Sequence, residues 1–335
     1  MLIKNVMKQL DKPRIIVTAE MEHLPAACAI LDKACDVVYA PTITDSELLA
    51  TIAEYDAIVT NIRQVIGKSV LDAATKLRLI ATPSTGTDHI DVEYAESRGI
   101  VVQSIKRDYD LLKTITSTAE HAFLLMLSCL RRLPFAFDSV RRGEWVRDKF
   151  CGREAEGRVV GIIGYGRLGE IFSRLANGFG MKVIACDPSK TINDVWVKQV
   201  EMDELLKTAE IISLHVHLTP ETENLIGQCE FDLMRDGVYL VNTSCGKLID
   251  EEALLDALKS GKVKCAGIDV LANELTGDID SDLLVEFSRT HDSLIITPHI
   301  GGMSSDAQEK AFSHMASKLV VFLTKIGNFS KNGNI

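Results

Sequence analysis

The sequence lacks any apolar run long enough to cross a membrane. Its longest apolar stretches, such as residues 122–127, are far shorter than the ~20 residues that a membrane-spanning helix needs. Internal repeats and low-complexity segments are also missing, and 46% hydrophobic and 25% charged residues are ordinary values for a folded globular protein. These features exclude a disordered chain, a collagen and a coiled-coil rod. The length of 335 residues predicts about two domains.

Cysteine pairs spaced for metal binding or redox chemistry are absent. None of the eight cysteines forms a C-x-x-C pair, and most lie in apolar segments, where cysteine behaves as a small hydrophobic residue. Residues 1–20 contain lysines and lead into a predicted strand, without the apolar core of a secretory signal. We therefore expect a reduced, cytoplasmic protein with no disulfide framework and no metal site.

An excess of positive charge is absent as well. The chain has 37 Lys and Arg against 47 Asp and Glu, a net charge of -10, whereas binding to nucleic acid needs clustered cations. The one dense basic run contains Arg131, Arg132, Arg141, Arg142 and Arg147, which we interpret as a solvated helix end and loop. Nucleic acid is therefore disfavoured as a partner, and no membrane partner is expected.

Short β-branched runs alternate with helical stretches along most of the chain. Strands that are continuously apolar are buried on both faces, and alternation of strands with helices predicts parallel sheets covered by helices on both sides. The sequence therefore predicts an α/β protein with two doubly wound parallel-sheet domains. The predicted strands are 14–18, 36–39, 57–60, 77–82 and 100–103 in a first series, and 158–163, 182–186, 211–216, 238–242, 266–270 and 294–297 in a second.

One long helix is predicted between the two series. The segment S-T-A-E at 117–120 has the form of a capping box, and residues 119–133 follow it with a largely apolar surface. A helix that is apolar nearly all round is expected to be buried. Another helix, at about 305–324, is predicted near the end of the chain.

The sharpest motif is the G-x-G-x-x-G spacing of Gly164, Gly166 and Gly169. It follows a predicted strand and opens a predicted helix, with Arg167 and Leu168 at the start, which is the context of a dinucleotide-binding turn. Gly164 permits the tight turn, Gly166 lets the backbone approach pyrophosphate, and Gly169 lets helix and strand pack closely. Free N–H groups at the helix start then face the phosphates.

Asp187 ends the next predicted strand, 23 residues after Gly164. It is placed to accept hydrogen bonds from the adenosine ribose hydroxyls, and its charge would repel a 2′-phosphate. NAD is therefore favoured over NADP as the cofactor. The alternative interpretation of Asp187 is an ordinary turn residue before Pro188.

From about residue 57 to 311, the chain resembles the D-isomer-specific 2-hydroxyacid dehydrogenases. The resemblance rests on many blocks in the same order. Besides the glycine motif, these are S-T-G-T-D-H-I-D at 84–91, S-T-A-E-H at 117–121, R-G-E-W at 142–145, S-L-H-V at 213–216, V-N-T at 241–243, D-E-E-A-L at 250–254, G-I-D-V at 267–270 and T-P-H-I-G-G at 297–302.

This resemblance implies a domain arrangement. A Rossmann NAD-binding domain, residues 115–304, is inserted into a flavodoxin-like substrate-binding domain made of residues 1–114 and 305–335. The active site is expected in the cleft between them. The resemblance also implies a homodimer formed through the NAD-binding domain, partly by the helix after Ser117, and no additional regulatory domain.

The implied reaction is the NAD-dependent interconversion of a 2-oxo acid and a D-2-hydroxy acid. His299 follows a predicted strand, and ligands of parallel α/β sheets bind beyond the carboxyl ends of strands. Because imidazole titrates near neutrality, it can take up the hydroxyl proton in oxidation and return it in reduction. The resemblance implies that His299 is this acid/base and that Glu274 is its acidic partner, which raises its pKa and fixes its tautomer.

Further roles come from the resemblance alone. Asp269 is implied to contact the nicotinamide carboxamide, and the N–H groups of Thr85 and Gly86 to receive the substrate carboxylate. Asn61 stands where phosphoglycerate-type members tend to have arginine, which argues against 3-phosphoglycerate. The remaining cofactor-binding positions are Val216, Thr243, Gly301 and His217, which replaces a usual proline and either adds a polar group near the cofactor or points to solvent.

The main departure from the family is Cys245. The segment N-T-S-C-G at 242–246 has cysteine where the family normally has the arginine that pairs with the substrate carboxylate. A thiol cannot supply a permanently charged, bidentate donor, and losing such a buried contact costs about 2–5 kcal/mol.

Four explanations of this departure remain open. Another cation, from Lys247, Arg107, Lys106 or Arg63, replaces the arginine, or the substrate lacks the usual carboxylate geometry. Alternatively, the chain is a weakly active or non-catalytic relative that binds NAD as a regulatory protein. Finally, Cys245 acts chemically, or the chain is an altered version of a parent with arginine.

Overall fold

The computed structural model describes residues 12–275 and 278–332, with the side chains of the last helix up to residue 325. Residues 1–11, over which a secretory signal is not expected, lie outside this range. The chain divides into two compact units. One contains the residues up to Ile115 together with those from Ser305 onward, and the other contains Thr116–Ser304. The second unit is therefore inserted into the first along the chain.

Strands and helices alternate through both units, and their bounds are as follows. The strands are β1 (Arg14–Val17), β2 (Asp36–Tyr39), β3 (Ala57–Val59), β4 (Leu79–Ala81), β5 (Val101–Gln103), β6 (Val159–Ile163), β7 (Lys182–Cys186), β8 (Val197–Gln199), β9 (Ile211–Leu214), β10 (Val238–Asn242), β11 (Val263–Ile268) and β12 (Leu294–Ile296). The helices are α1 (Pro25–Ala34), α2 (Asp45–Thr51), α3 (Lys68–Ala73), α4 (Val92–Ser97), α5 (Tyr109–Leu112), α6 (Ser117–Arg131), α7 (Leu133–Arg141), α8 (Arg167–Gly178), α9 (Met202–Thr208), α10 (Gln228–Leu233), α11 (Glu251–Ser260), α12 (Leu283–Ser288) and α13 (Ser305–Asn332).

The first unit contains a parallel sheet in the order β2-β1-β3-β4-β5, which is the flavodoxin-like order. Successive residues of a strand point to opposite faces of the sheet. Ile15 and Val17 of β1 accordingly lie in a core cluster with α1 and α13, whereas Ile16 lies in another cluster with α2 and α3. Helices on both faces explain why β1 is apolar at consecutive positions.

The second unit contains a parallel sheet in the order β12-β11-β10-β9-β6-β7-β8. Counted from β6, this is the 3-2-1-4-5-6 order of a Rossmann fold, with β12 as an additional strand. The strand order reverses between β6 and β9, and such a switch point is where these folds bind nucleotides. The predicted fold class is confirmed.

The predicted strands are all present, with ends that differ by at most three residues. The prediction lacks β8, a strand of three residues at the edge of the second sheet. Its side chains are exposed or half-buried, and Val197 is its one apolar residue. An edge strand of this kind has neither a continuous apolar run nor a clear alternation, and therefore gives no sequence signal.

Helix α6 differs from the prediction in two ways. It begins at Ser117 with Thr116 as N-cap, and the Thr116 hydroxyl donates to Glu120 Oε1 at 2.5 Å without capping a backbone N–H. The predicted capping box at 117–120 is therefore wrong, because the motif begins one residue after the cap. The helix also buries one face, with Phe123 packed edge-on to the Phe172 ring of α8 at 5.7 Å, while Leu124 is exposed.

Residues 12–275 and 278–332 lack both a membrane-spanning helix and a metal-binding cluster. In these ranges, no helix is both long enough and apolar enough to span a membrane. The same residues contain no group of three or more His, Cys, Asp or Glu side chains arranged to hold a metal ion.

Candidate active site

The carboxyl edge of the second sheet carries most of the predicted site residues. Because all of its strands are parallel, the segments that follow them lie along one edge, where ligands of such sheets bind. These residues are Gly164 after β6, Asp187 after β7, Val216 and His217 after β9, Thr243 and Cys245 after β10, Asp269 after β11, and His299 and Gly301 after β12.

Gly164 makes a tight turn after β6. Its φ of +87° is one that residues with side chains rarely adopt. A Cβ at this position would lie 2.6 Å from Val216 Cγ1 and 2.7 Å from the carbonyl oxygen of His215. A Cβ on Gly169 would lie 2.2 Å from the carbonyl oxygen of Gly164. The turn is thus packed directly against the end of β9 and against α8, and glycine is needed at both positions.

The other side of this turn is open. Gly166 is the exposed N-cap of α8, and a Cβ on it would meet nothing within 4 Å. The helix then begins with Arg167 and Leu168, which are half-buried. The first N–H groups of a helix lack intrahelical partners and carry partial positive charge. This arrangement suits a phosphate group.

Asp187 is held in its ionised form at the end of β7. Its Oδ2 accepts a hydrogen bond from the Tyr165 amide at 2.8 Å, and its Oδ1 accepts from the amide (2.9 Å) and hydroxyl (2.8 Å) of Ser189. Burial opposes ionisation, but these hydrogen bonds outweigh it and hold the pKa of Asp187 below its ordinary value. Oδ2 keeps lone-pair capacity for a further donor, such as a ribose hydroxyl.

Asn242 organises the turn after β10. Its Nδ2 donates to the carbonyl oxygen of Cys245 at 2.8 Å, and its Oδ1 accepts from the Ser244 amide at 3.0 Å. A Cβ on Gly246 would lie 2.0 Å from the carbonyl carbon of Leu271. The backbone around the half-buried Cys245 is therefore tightly fixed.

The neighbouring positions differ in burial. Thr243 is buried, and its Oγ1 has no hydrogen-bond partner among the residues described. A buried polar atom without a partner is costly unless a ligand or water satisfies it. Val216 is half-buried beside Gly164, whereas His217 is exposed and its carbonyl oxygen accepts from the Thr222 hydroxyl at 2.8 Å.

His299 and Glu274 form a close pair. His299 Nδ1 lies 2.6 Å from Glu274 Oε1, and the Leu271 amide donates to Glu274 Oε2 at 3.2 Å. Burial disfavours the charged imidazole, but the Glu274 carboxylate outweighs it and raises the pKa of His299 above its ordinary value of 6.5. The His299 side chain is 39% exposed, and within the described ranges Nε2 has no protein partner. The ring is therefore fixed at one nitrogen and open at the other.

Asp269 is 1% exposed and holds the loop that carries His299. Its Oδ1 accepts from the Thr297 hydroxyl at 2.6 Å and the Ile300 amide at 2.9 Å, and its Oδ2 accepts from the Gly301 amide at 2.7 Å. Burial raises the pKa of Asp269, but hydrogen bonds led by that of His121 more than reverse this effect. The carboxylate is therefore ionised and largely satisfied by its own chain.

The predicted substrate-binding residues lie in the first unit, in the loop after β4. Ser84 Oγ donates to the carbonyl oxygen of Gly86 at 2.6 Å, and the Ile105 amide donates to the carbonyl oxygen of Ser84 at 3.2 Å. Gly86 is exposed and Thr85 is half-buried. In the part of the chain that the structure describes, the amides of Thr85 and Gly86 donate to no protein acceptor, so this loop presents two N–H groups that can receive an anion.

Sequence reasoning missed several residues of this edge. Ser189 and the Tyr165 amide, which hold Asp187, were not singled out, nor were Thr297 and His121. Thr297 and His121 both lie in sequence blocks that resemble the family, and this resemblance was the only sign that they belong to the site. Their role depends on contacts between distant parts of the chain, which the blocks do not reveal.

The chain matches a family model over residues 123–301. The family is described as D-isomer specific 2-hydroxyacid dehydrogenase, NAD binding domain, and the matched residues include the glycine turn, Asp187, the His299–Glu274 pair and Asp269. The chain belongs to this family. Family membership confirms the predicted resemblance, and the predicted NAD cofactor is confirmed with it, since the matched model is that of the family's NAD-binding domain.

The relatives of this chain have different substrates in their names. It is 36% identical over 310 residues to a D-3-phosphoglycerate dehydrogenase of Methanocaldococcus jannaschii, covering 91% of this chain and 56% of the relative. It is 37% identical over 274 residues to a hydroxypyruvate reductase of Thermotoga maritima, covering 82% and 86%. The chain thus spans about half the length of the D-3-phosphoglycerate dehydrogenase but most of the length of the reductase.

A solved structure extends the likeness to almost the whole fold. D-Lactate dehydrogenase from Aquifex aeolicus, complexed with NAD and lactic acid, has a TM-score of 0.77 and 28% identity. The match covers 93% of this chain and 96% of that one. The family is thus one of NAD-dependent oxidoreductases. The consequence of having cysteine at position 245 and the roles of the individual site residues stay predictions.

Proposed function

We propose that this protein interconverts a 2-oxo acid and a D-2-hydroxy acid by NAD-dependent hydride transfer, with His299 as acid/base and Glu274 as its partner. The observation that carries the proposal is the His299–Glu274 pair, with Nδ1 held at 2.6 Å and Nε2 open. An ionised carboxylate accepts the Nδ1 proton, so the neutral ring has Nε2 as its acceptor. In the charged ring, Nε2 is a donor.

The two directions of the reaction use these two states. In reduction, the charged His299 donates its Nε2 proton to the carbonyl oxygen of the 2-oxo acid as that carbon gains hydride. In oxidation, the neutral His299 accepts the hydroxyl proton at Nε2. Because Glu274 raises the pKa of His299, the charged form persists to higher pH than for a free imidazole, which favours reduction near neutrality.

The residues present fit a dinucleotide. When bound, NAD supplies or accepts the hydride. The open turn at Gly166 and the start of α8 would hold its pyrophosphate, and Asp187 would accept from the adenosine ribose hydroxyls. The unsatisfied hydroxyl of Thr243 would take a polar group near the nicotinamide. Asp269 would act mainly by holding the loop that carries Gly301.

The substrate carboxylate would bind the free amides of Thr85 and Gly86. One of the four candidate cations, Lys247, Arg107, Lys106 or Arg63, would then replace the arginine missing at Cys245. Arg63 is already paired with Glu20 at 2.7 Å. Lys106 and Arg107 are exposed next to Ile105, whose amide bonds the loop after β4. Neither forms a salt bridge among the described residues, which makes them better candidates than Arg63.

The competing function is that of a non-catalytic NAD-binding or regulatory protein, which the substitution at Cys245 favours. A panel of hydroxypyruvate, glyoxylate, pyruvate and 3-phosphohydroxypyruvate, followed by loss of NADH absorbance, separates the two. We expect turnover of at least one acid, abolished in His299→Asn with NADH binding retained. Tight NADH binding without turnover of any acid would support the non-catalytic alternative.

We also propose a homodimer through the second unit. Helix α7 and the segment after it expose apolar side chains that include Phe137, Val140 and Trp145, and Trp145 is 87% exposed. Exposed apolar clusters of this kind mark association surfaces. Light scattering is expected to give a dimer, and Phe137→Asp with Trp145→Asp is expected to give a monomer.

A cytoplasmic location is proposed from the cysteines. All eight are free thiols in the structure, three of them buried, as expected for a reducing compartment. Expression in the native cell followed by fractionation would test this location.

A further inference from the structure

We propose that His121, on helix α6, is a positioning residue that sets the orientation of His299 through Thr297 and Asp269. The inference rests on the proposed function, in which His299 is the acid/base. It concerns four residues that all lie in the second unit. Among the described residues, His121 forms no hydrogen bond or ion pair with His299 or Glu274, so its effect would be transmitted through Thr297 and Asp269.

Counting protons fixes the direction of each hydrogen bond. The Thr297 hydroxyl has one proton, and it donates this proton to Asp269 Oδ1 at 2.6 Å. Thr297 Oγ1 is also 2.9 Å from His121 Nε2, and at this contact the hydroxyl can only accept. His121 Nε2 must therefore carry a proton. The same nitrogen lies 3.3 Å from Asp269 Oδ1, so His121 stands close to both oxygens.

The carboxylate held in this way fixes the backbone around His299. His299 has a φ of +53°, a left-handed conformation that is unfavourable for a residue with a side chain. Its amide donates to the carbonyl oxygen of Asp269 at 2.9 Å, and the next two amides, of Ile300 and Gly301, donate to the Asp269 carboxylate. A strained conformation persists where surrounding contacts overdetermine it, and here they converge on Asp269.

Helix α6 also contacts this loop through its first turn. A Cβ on Gly301 would lie 3.0 Å from Asp269 Oδ2 and 3.2 Å from Thr118 Cγ2. The loop therefore lies directly on the start of α6, and His121 is one turn further along the same helix. Its side chain is 11% exposed, on a helix whose other buried residues are mostly apolar. A buried donor at this place needs an acceptor, and Asp269 with Thr297 supplies it.

The test compares His121→Leu with His121→Gln, because glutamine keeps an N–H donor near the position of Nε2. We expect His121→Leu to lower kcat for 2-oxo acid reduction about 10-fold or more, as losses of residues that orient a reactive imidazole do. The Kd for NADH should change less than about 2-fold. His121→Gln should recover most of the rate, and Thr297→Val should reproduce the loss. His291→Gln is the matched control, since His291 stacks on Phe287 away from this loop.

An NMR titration of the His299 imidazole gives a readout that does not need turnover. The His299 pKa depends on Glu274 and Asp269, and in His121→Leu we expect it to fall toward the ordinary value as the loop loosens. Equal loss of rate in the Leu and Gln variants would show that packing, not the donor, matters. Unchanged rate and pKa in His121→Leu would also overturn the inference. If the wild-type protein reduces no 2-oxo acid, the proposed function fails, and the titration still decides the role of His121.

Discussion

The loop after β12 and the turn after β10 lie along the same edge of the Rossmann sheet, but they differ in the side chains that they carry. The β12 loop carries the proposed acid/base, His299, which lies against Glu274, and its amides are bound to Asp269. The β10 turn keeps its backbone hydrogen bonds to Asn242 and carries Cys245, where the family resemblance predicts an arginine. In the proposed function, proton transfer and substrate anchoring would therefore be separable.

The largest effect is expected from His299→Asn, which removes the proton carrier from the intact loop. We expect kcat for reduction to fall about 1000-fold, within the range for loss of a general acid. NADH binding should be retained, because the glycine turn and Asp187 are untouched. Stopped-flow rates and NADH fluorescence titration measure the two quantities. A variant with near wild-type kcat would show that His299 is not the acid/base, and the β12 loop would then have no role in proton transfer.

Introducing a cation with Cys245→Arg tests the role of the β10 turn in binding the substrate carboxylate. Because the turn around Cys245 keeps its backbone hydrogen bonds, we expect kcat/KM for a simple 2-oxo acid to rise about 30-fold, equivalent to about 2 kcal/mol of transition-state binding. Cys245→Ser is the matched control and should change little. A fall in kcat/KM with arginine would instead show that the pocket has been rebuilt around the smaller residue.

A smaller effect is expected from Glu274→Gln, which neutralises the partner of His299. Glu274 raises the pKa of His299, so its charge keeps the imidazole protonated as pH rises. Without that charge the pKa falls, the protonated form is lost at lower pH, and reduction at about pH 8 should slow about 10-fold. The pH profile of kcat should shift to lower pH, while rates well below the new pKa should change less. A profile that stays in place would contradict the pairing.

The smallest effect is expected from the candidate replacement cations. We expect Arg107→Ala and Lys106→Ala each to raise KM for the 2-oxo acid by about 3- to 10-fold, as for loss of a partly exposed charge contact. The effect of these substitutions on kcat should be minor. Arg63→Ala, whose partner is Glu20, is the matched control. If Arg63→Ala alone raised KM, Arg63 would supply the missing charge, and Lys106 and Arg107 would not.

The folds of both units were predictable from sequence, and so was the glycine turn after β6, while the roles of the site residues stay predictions. Apolar strands such as β1 and β6 are buried by helices on both faces, which leaves a continuous hydrophobic run in the sequence. Gly164 and Gly166 are recognisable because a turn between strand and helix that approaches a phosphate tolerates no side chain. These signals are local, and a single sequence displays them directly.

The remaining features depend on contacts between residues far apart in the chain. The left-handed backbone of His299 and its amides bound to Asp269 have no local signal, and neither has the contact of His121 with Thr297, 176 residues away. The short exposed strand β8 has too few apolar residues to be recognised. The block around Ser117 resembled a cap, but the helix begins one residue earlier than that motif implies.

Gly246 adds a restriction of its own to this edge of the sheet. Even one methyl group at this position would lie 2.0 Å from the carbonyl carbon of Leu271, and the amide of Leu271 donates to Glu274. Any larger residue here would push the main chain that supports the acidic partner of His299. In the proposed function, exchange of the side chain beside Gly246, as at Cys245, would alter which acids are accepted, whereas a change in the peptide path would also disturb proton transfer.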